Sequence, residues 1–360
     1  MKKVIIYAYT QFNLGDDLFI KILCERYPDT QFLLYAPRGY QKLFHMLPNL
    51  RVFPSDTLWF RGVRLLSRKL HLEHVLCNII AKNYDMAVYI GGSLFIQGEN
   101  WKKEFRNNKA LKLTNKPFFL LGANFGPYDD DEFYIAYKKL FHTYTDICFR
   151  DRHSLELFRD LPQTRMAADI VFQLQMPTAN TQEKMVVLTV IKPSIRKHLV
   201  NSDQLYYQKM SEVAIHFIER GYQVTLMAFC VIEQDDEALT EIKQRIPKHL
   251  ISNVATYVYQ YHIDEALQIL AQSSFIVASR FHAMILGWVM EKPVFPIVYS
   301  RKMTNVMQDL HFTGKYCDFD ALHTLKANDV FASLNNSTIN VSNPVKEAEE
   351  HFLHLDKYMK

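Results

Sequence analysis

Glycine is scarce in this chain, with 11 among 360 residues, or about 3% against a typical ~7%. Each glycine is therefore more likely than usual to hold a backbone position that needs it. The five cysteines (Cys24, Cys77, Cys148, Cys230, Cys317) are odd in number, widely separated and without C-x-x-C spacing. That excludes a disulfide framework and a cysteine zinc site, and it fits a reducing compartment. No apolar run reaches the ~18 residues of a membrane span, and Gln11, Asn13 and Asp16 interrupt the N-terminal run before a signal core is complete. The expectation is a cytoplasmic protein. Net charge is 42 − 38 = +4, too small and too scattered for a nucleic-acid binder. No G-x-G-x-x-G follows the first apolar run, no G-x-x-x-x-G-K-[ST] occurs, and no D-x-D follows a strand. No cofactor and no metal are expected.

What is present is a folded α/β pattern. A hydrophobic fraction of 49% and a charged fraction of 22% suit two ordinary globular domains at this length. Short β-rich runs at Val4–Tyr9, Phe32–Tyr35, Met86–Ile90, Phe118–Leu121, Ile147–Phe149 and Met166–Ile170 alternate with stretches of helical period. The alternation restarts with Met185–Val190, Val224–Ala228, Phe275–Ala278 and Val294–Val298, with helical segments such as Gln208–Arg220 and Ile263–Ala271 between them. Such βαβ repetition predicts two doubly wound, Rossmann-like α/β domains facing a cleft. The first covers 1–176, the second 177–345, and 346–360 adds a C-terminal helix whose docking the sequence leaves open. Gln175–Lys184, with Pro177, is the predicted linker.

Ligands of open parallel sheets gather beyond the carboxyl ends of the strands. Five of the glycines fall there in the first domain: Gly15 within Asn13-Leu14-Gly15-Asp16-Asp17, Gly91 and Gly92 before Ser93, then Gly122 and Gly126. Each alone could simply make a turn or cap; together they favour a ligand site. Ile147–Phe149 runs into Arg150-Asp151-Arg152, where a cation can meet an anion or form a surface ion pair. Phe275–Ala278 leads into Ser279-Arg280-Phe281-His282, and Val294–Val298 leads into Tyr299-Ser300-Arg301-Lys302. Arginine and histidine flanking one such turn favour function over a purely structural role.

Taken together, N-L-G-D-D-L at Asn13–Leu18, G-G-S at Gly91–Ser93, G-x-x-x-G-P at Gly122–Pro127, R-D-x-x-S at Arg150–Ser154, Ala168-Asp169, S-R-F-H-A at Ser279–Ala283 and Y-x-x-K at Tyr299–Lys302 resemble the polysaccharide pyruvyl transferase family. The resemblance implies a GT-B-like fold. It also implies transfer of a pyruvyl group from phosphoenolpyruvate to two hydroxyls of a sugar, in a cell-surface polysaccharide or its lipid-linked precursor, giving a cyclic ketal. His282, Arg150 and Lys302 would then serve the donor. Phe281 departs from the pattern, which more commonly has leucine there.

The chemistry of those residues agrees. Phosphoenolpyruvate carries a phosphate and a carboxylate, for which Arg150, Arg280 and Lys302, with Ser279, are expected ligands. A histidine, with its ordinary pKa of ~6.5, suits proton delivery to the methylene carbon. The cleft loops are expected to contribute Asn13, Gly15, Asp16, Asp17, Gly91, Gly92, Ser93 and Gly126. The alternatives are a GT-B glycosyltransferase using a nucleotide sugar and a non-catalytic carbohydrate-binding protein. His71-Leu72-Glu73-His74 lacks H-E-x-x-H spacing and reads as a solvated helix face. Leu58–Leu70 mixes Arg61, Arg64, Arg68 and Lys69 with Trp59, Phe60, Leu65 and Leu66. That composition fits a basic helix on a membrane surface and also an amphipathic helix packed on the sheet with a solvated basic face.

Overall fold

The apolar runs form two parallel sheets in a computed structural model that describes residues 1–70, 72–176, 181–182, 184–335 and 337–360, without the side chain of Arg68. The linker assigned to Gln175–Lys184, Pro177 included, and His71 of the histidine pair thus fall partly or wholly outside the described residues. The chain divides into two compact units. One comprises Met1–Thr10, Phe19–Ile170 and Lys346–Lys360; the other comprises Gln11–Leu18 and Val171–Val345.

Among the described residues, the first unit has seven strands: β1 (Lys3–Ala8), β2 (Gln31–Ala36), β3 (Leu50–Pro54), β4 (Met86–Ile90), β5 (Phe118–Ala123), β6 (Asp146–Phe149) and β7 (Thr164–Met166), in the order β3-β2-β1-β4-β5-β6-β7. Every pairing is parallel, with Val4 opposite both Phe32 and Met86. Strands buried on both faces need continuous apolar sequence, and β4 and β5 are buried throughout. Two predicted features differ. β3 was not anticipated, because its half-exposed residues and terminal Pro54 suit a sheet edge better than a buried strand. The run predicted as strand from Met166 to Ile170 stops at Met166, where Asp169 turns away to pair with Arg150.

Aromatic packing fills one face of this sheet. Phe125, Phe133, Tyr137, Phe141 and Phe158 are buried together, with neighbouring ring centroids 4.8 to 6.0 Å apart. Each such ring contributes roughly 1.5–3 kcal/mol by burial. The terminal segment, predicted as one helix, is Ser342–Glu349 and Leu353–Met359 joined by a 3₁₀ turn. It docks on the first unit. Phe352 and Leu355 are fully buried, Arg26 pairs with Asp356 at 2.9 Å, and Arg165 donates to the carbonyl of His351 at 2.8 Å.

The second unit repeats the winding with β8 (Met185–Val190), β9 (Gln223–Ala228), β10 (Val254–Val258), β11 (Phe275–Ala278), β12 (Val294–Val298) and β13 (Cys317–Asp318), ordered β10-β9-β8-β11-β12-β13. In both sheets the winding reverses at the first strand, between β1 and β4 and between β8 and β11. Such a switch point leaves a crevice at the carboxyl ends of the strands. No helix among the described residues is long and apolar enough to cross a membrane.

Candidate active site

In the first unit, four of the short motifs interlock at the carboxyl ends of β4, β5 and β6. Arg150 donates from one terminal nitrogen to Asp169 at 2.9 Å and from the other to Asn124 at 2.6 Å, and its side chain is 1% exposed. The guanidinium lies directly under the Gly91-Gly92-Ser93 turn: a Cβ on Gly92 would come within 2.5 Å of it. Ser93 reaches the same Asn124 at 3.3 Å, and the backbone N–H of Asn124 donates to the carbonyl of Gly92 at 2.9 Å. Gly126, with φ of 92°, precedes a cis peptide to Pro127. Asp151 caps the helix Arg152–Leu157 through the backbone of Ser154, whose hydroxyl accepts from the N–H of Phe125 at 2.8 Å. Direct contact with a donor, expected of Arg150, meets a guanidinium already enclosed by an ion pair, an amide and a glycine turn.

The second unit gathers a richer set. His282 is the second residue of the helix Phe281–Val289 and is buried. Asn13–Asp17, expected as a loop, is instead the start of the helix Leu14–Arg26, and this turn packs on the imidazole so closely that a Cβ on Gly15 would lie 1.8 Å from Nδ1. The turn is fixed from several sides within this unit. Gly15 N–H donates to Asn13 Oδ1 at 3.2 Å, Leu14 N–H donates to the Phe229 carbonyl at 3.3 Å, and Tyr259 donates its hydroxyl proton to buried Asp17 at 2.8 Å. Asp16, beside it, is buried as well. Although 11–18 follow β1 in the chain, they belong with the second unit, where the sequence reading had placed only residues beyond 176.

Arg280 caps that helix, but its charge is engaged. It donates to Glu233 at 2.7 Å and to Asp235, whose carboxylate also accepts from the backbone N–H groups of Phe229 and Cys230. Its Nε is buried without a hydrogen-bond partner. Ser279 is fully buried and accepts a hydrogen bond from Tyr206 at 2.8 Å. Both residues follow the carboxyl end of β11 and are held by internal bonds.

The sequence reading missed Arg196, Glu233, Asp235 and Tyr259. All follow β8, β9 or β10, and inspecting those strand ends as closely as the others would have exposed them. Arg196 pairs with Glu233 at 2.8 Å and sits 4.4 Å from the ring centroid of Tyr299. Lys302 Nζ lies 5.3 Å from that centroid and 5.5 Å from that of Phe281. Phe281, the departure from the family pattern, thus gives Lys302 a π face that leucine could not offer. Burial pushes the Glu233 carboxyl up, but Arg280, Arg196 and Lys302 outweigh it and hold the group down to about 2. Burial would likewise raise the Tyr299 phenol, yet Lys302, Arg196 and Arg280 bring it below its ordinary value despite Glu233. Positive potential therefore prevails around the Tyr299 hydroxyl, which suits an anionic ligand. Among the described residues, no group of His, Cys, Asp and Glu is placed to hold a metal ion.

Two parallel-sheet α/β units of this kind place the chain among GT-B-like folds. The E. coli ADP-heptose LPS heptosyltransferase II superposes with a TM-score of 0.52 at 17% identity, covering 93% of this chain and 98% of that one. Anabaena HepE, solved with UDP-glucose, gives 0.60 at 14% identity over 100% and 98%. A UDP-GlcNAc 2-epimerase from Methanocaldococcus jannaschii gives 0.60 at 11% over 99% and 100%. These likenesses establish the fold alone. The family model for polysaccharide pyruvyl transferase matches residues 13–301, and the chain belongs to that family. The amylovoran biosynthesis protein AmsJ of Erwinia amylovora is 23% identical over 267 residues; the alignment covers 67% of this chain and 63% of AmsJ. The chain thus spans less than two thirds of the length of this curated relative.

Proposed function

We propose that the protein transfers the pyruvyl group of phosphoenolpyruvate to two hydroxyls of one sugar in a cell-surface polysaccharide or its lipid-linked precursor. The carrying observation is the cationic surround of buried Tyr299, one strand away from His282. In this reading Lys302 and Arg196 meet the phosphate and carboxylate, while Arg280 acts through Glu233 and Asp235 to position them. Arg150 holds the Gly91-Gly92-Ser93 turn rather than the donor.

His282 donates a proton to the methylene carbon, turning it into a methyl group and leaving an oxocarbenium-like centre at the adjacent carbon. One sugar hydroxyl adds there and loses its proton. A second hydroxyl then displaces phosphate: a carbon–oxygen bond to the sugar forms as the bond to phosphate breaks, and the departing oxygens gain the stabilisation of the cations. Of the two protons released by the hydroxyls, one restores His282 and the other leaves with phosphate. The steps need no cofactor and no metal. A cytoplasmic location belongs to the same reading, which the five free thiols support.

The test is phosphate release from phosphoenolpyruvate in the presence of a panel of aryl and lipid-linked glycosides, in excess chelator, with a mass gain of one pyruvyl group on the acceptor. Wild type should support both and His282→Ala neither. Turnover of a uridine nucleotide sugar without phosphoenolpyruvate would favour a glycosyltransferase instead.

A further inference from the structure

An amphipathic helix on a soluble protein usually turns its apolar stripe inward. The helix Leu58–Lys69 does the reverse. At 100° per residue, Leu58, Leu65, Leu66 and Trp59 share one side, and they are 86%, 59%, 59% and 77% exposed. The inner side holds Ser67 and Phe60, and Phe60 anchors the helix against Phe53 and Tyr35 at 5.0 and 5.8 Å between centroids. The next helix, Glu73–Ile80, continues the pattern with exposed Val75 and, at 66%, Ile79; exposed Leu70 and Leu72 lie between the two. Scattered exposed apolar residues are ordinary, but six large ones within two successive helices and two more between them are not.

Charge is concentrated on the same stretch. Residues 57–83 contain Arg61, Arg64, Arg68, Lys69 and Lys82 against the single carboxylate Glu73, so 5 − 1 = +4. The whole chain also carries 42 − 38 = +4, so the rest of the molecule is balanced at 37 − 37 = 0. The two properties together select an occupant. A soluble anion would need the cations but not the apolar face. A second copy would bury the apolar face but oppose +4 with +4. An anionic membrane surface uses both: headgroups attract the cations while Trp59 and the leucines enter the interface.

We propose that the helices Leu58–Lys69 and Glu73–Ile80 form a peripheral docking surface for anionic lipid bilayers. The proposal is independent of the donor assignment. Trp59 supplies its own reporter, because Trp101 and Trp288 are buried.

The purified chain is sedimented at low salt with vesicles containing phosphatidylglycerol or phosphatidylcholine alone, while tryptophan emission is followed. Wild type should co-sediment with the anionic vesicles and shift its emission to the blue. Binding should weaken at least ~10-fold with neutral vesicles, at high salt, or in Arg61→Glu/Lys69→Glu. Leu65→Ser/Leu66→Ser should also weaken it. Trp59→Phe should keep binding but lose the shift. Phosphate release with a soluble glycoside acceptor, together with an unchanged circular dichroism spectrum, controls for folding in every variant. Absence of wild-type binding, or equal binding by wild type and the charge-reversed protein, would overturn the proposal. A concentration-dependent dimer abolished by Leu65→Ser/Leu66→Ser would overturn it too, and would assign the face to a second copy.

Discussion

Arg150 and Arg280 each lie just beyond a buried strand, β6 and β11, and each is paired with a carboxylate. Their surroundings differ. Around Arg150 the partners close the account: Asp169 matches the charge, Asn124 takes the second nitrogen and Gly92 covers the plane. Around Arg280, Glu233 and Asp235 meet not one cation but three, with Arg196 and Lys302 close by, and His282 follows two residues on. A buried strand-end arginine is thus not by itself a ligand group. What distinguishes the candidate site is a pair of carboxylates shared among three cations beside a histidine.

The contrast can be broken most directly at the two glycines. Gly15→Ala forces a methyl group into His282, so phosphate release should fall ~10²–10⁴-fold, with an unchanged circular dichroism spectrum; wild-type turnover would detach this helical turn from the acid. Next in size, Arg150→Ala leaves Asp169 buried without its cation and should destabilise the protein by ~3–5 kcal/mol. Thermal melting reads this as a large drop, while phosphoenolpyruvate affinity measured by calorimetry below the transition stays near wild type. A large affinity loss without a melting shift would give Arg150 the donor role after all.

Lys302→Ala should show the opposite signature. Melting should barely move, whereas phosphoenolpyruvate binding should weaken by about 2 kcal/mol, roughly 30-fold. Smallest, counted per pH unit, is a pH effect in the terminal segment. Burial, helped by Arg165, presses His351 down to about 3 while its Nε2 bonds the Ala168 carbonyl at 2.8 Å. Its folded value lies below the unfolded ~6.5, so the unfolded chain binds the proton first. Stability should therefore fall by up to ~1.4 kcal/mol for each pH unit from about 6.5 down towards 3. Denaturant titrations at several pH values would show the slope, and His351→Gln should flatten it.

Much of this architecture was legible because parallel strands covered on both faces must be continuously apolar. Runs such as Met86–Ile90 and Met185–Val190 stand out with their correct bounds. Edge strands obey no such demand, which hid Leu50–Pro54 and Val254–Val258, where all side chains but that of Val254 are partly or fully exposed. At the sites, residue types and their positions after strands pointed to His282 and Lys302. Pairing did not show: nothing local to Arg150 reveals Asp169, 19 positions later, or that Arg280 reaches back 45 positions to Asp235. The inversion of Leu58–Lys69 was equally hidden, since periodicity gives a helix's two faces and not which of them meets solvent.

The units also exchange pieces of chain. Gln11–Leu18 is made early but packs with the second unit, and Lys346–Lys360 is made last but packs with the first. On the ribosome, the helical turn against His282 must wait for β9 to β11, and the strands β1 to β7 emerge long before Phe352 can pack on Arg26 and Tyr27. Synthesis therefore cannot finish one unit and then the other: the first is completed only after the whole second unit has been translated, and a stall within the second leaves both with exposed apolar surface.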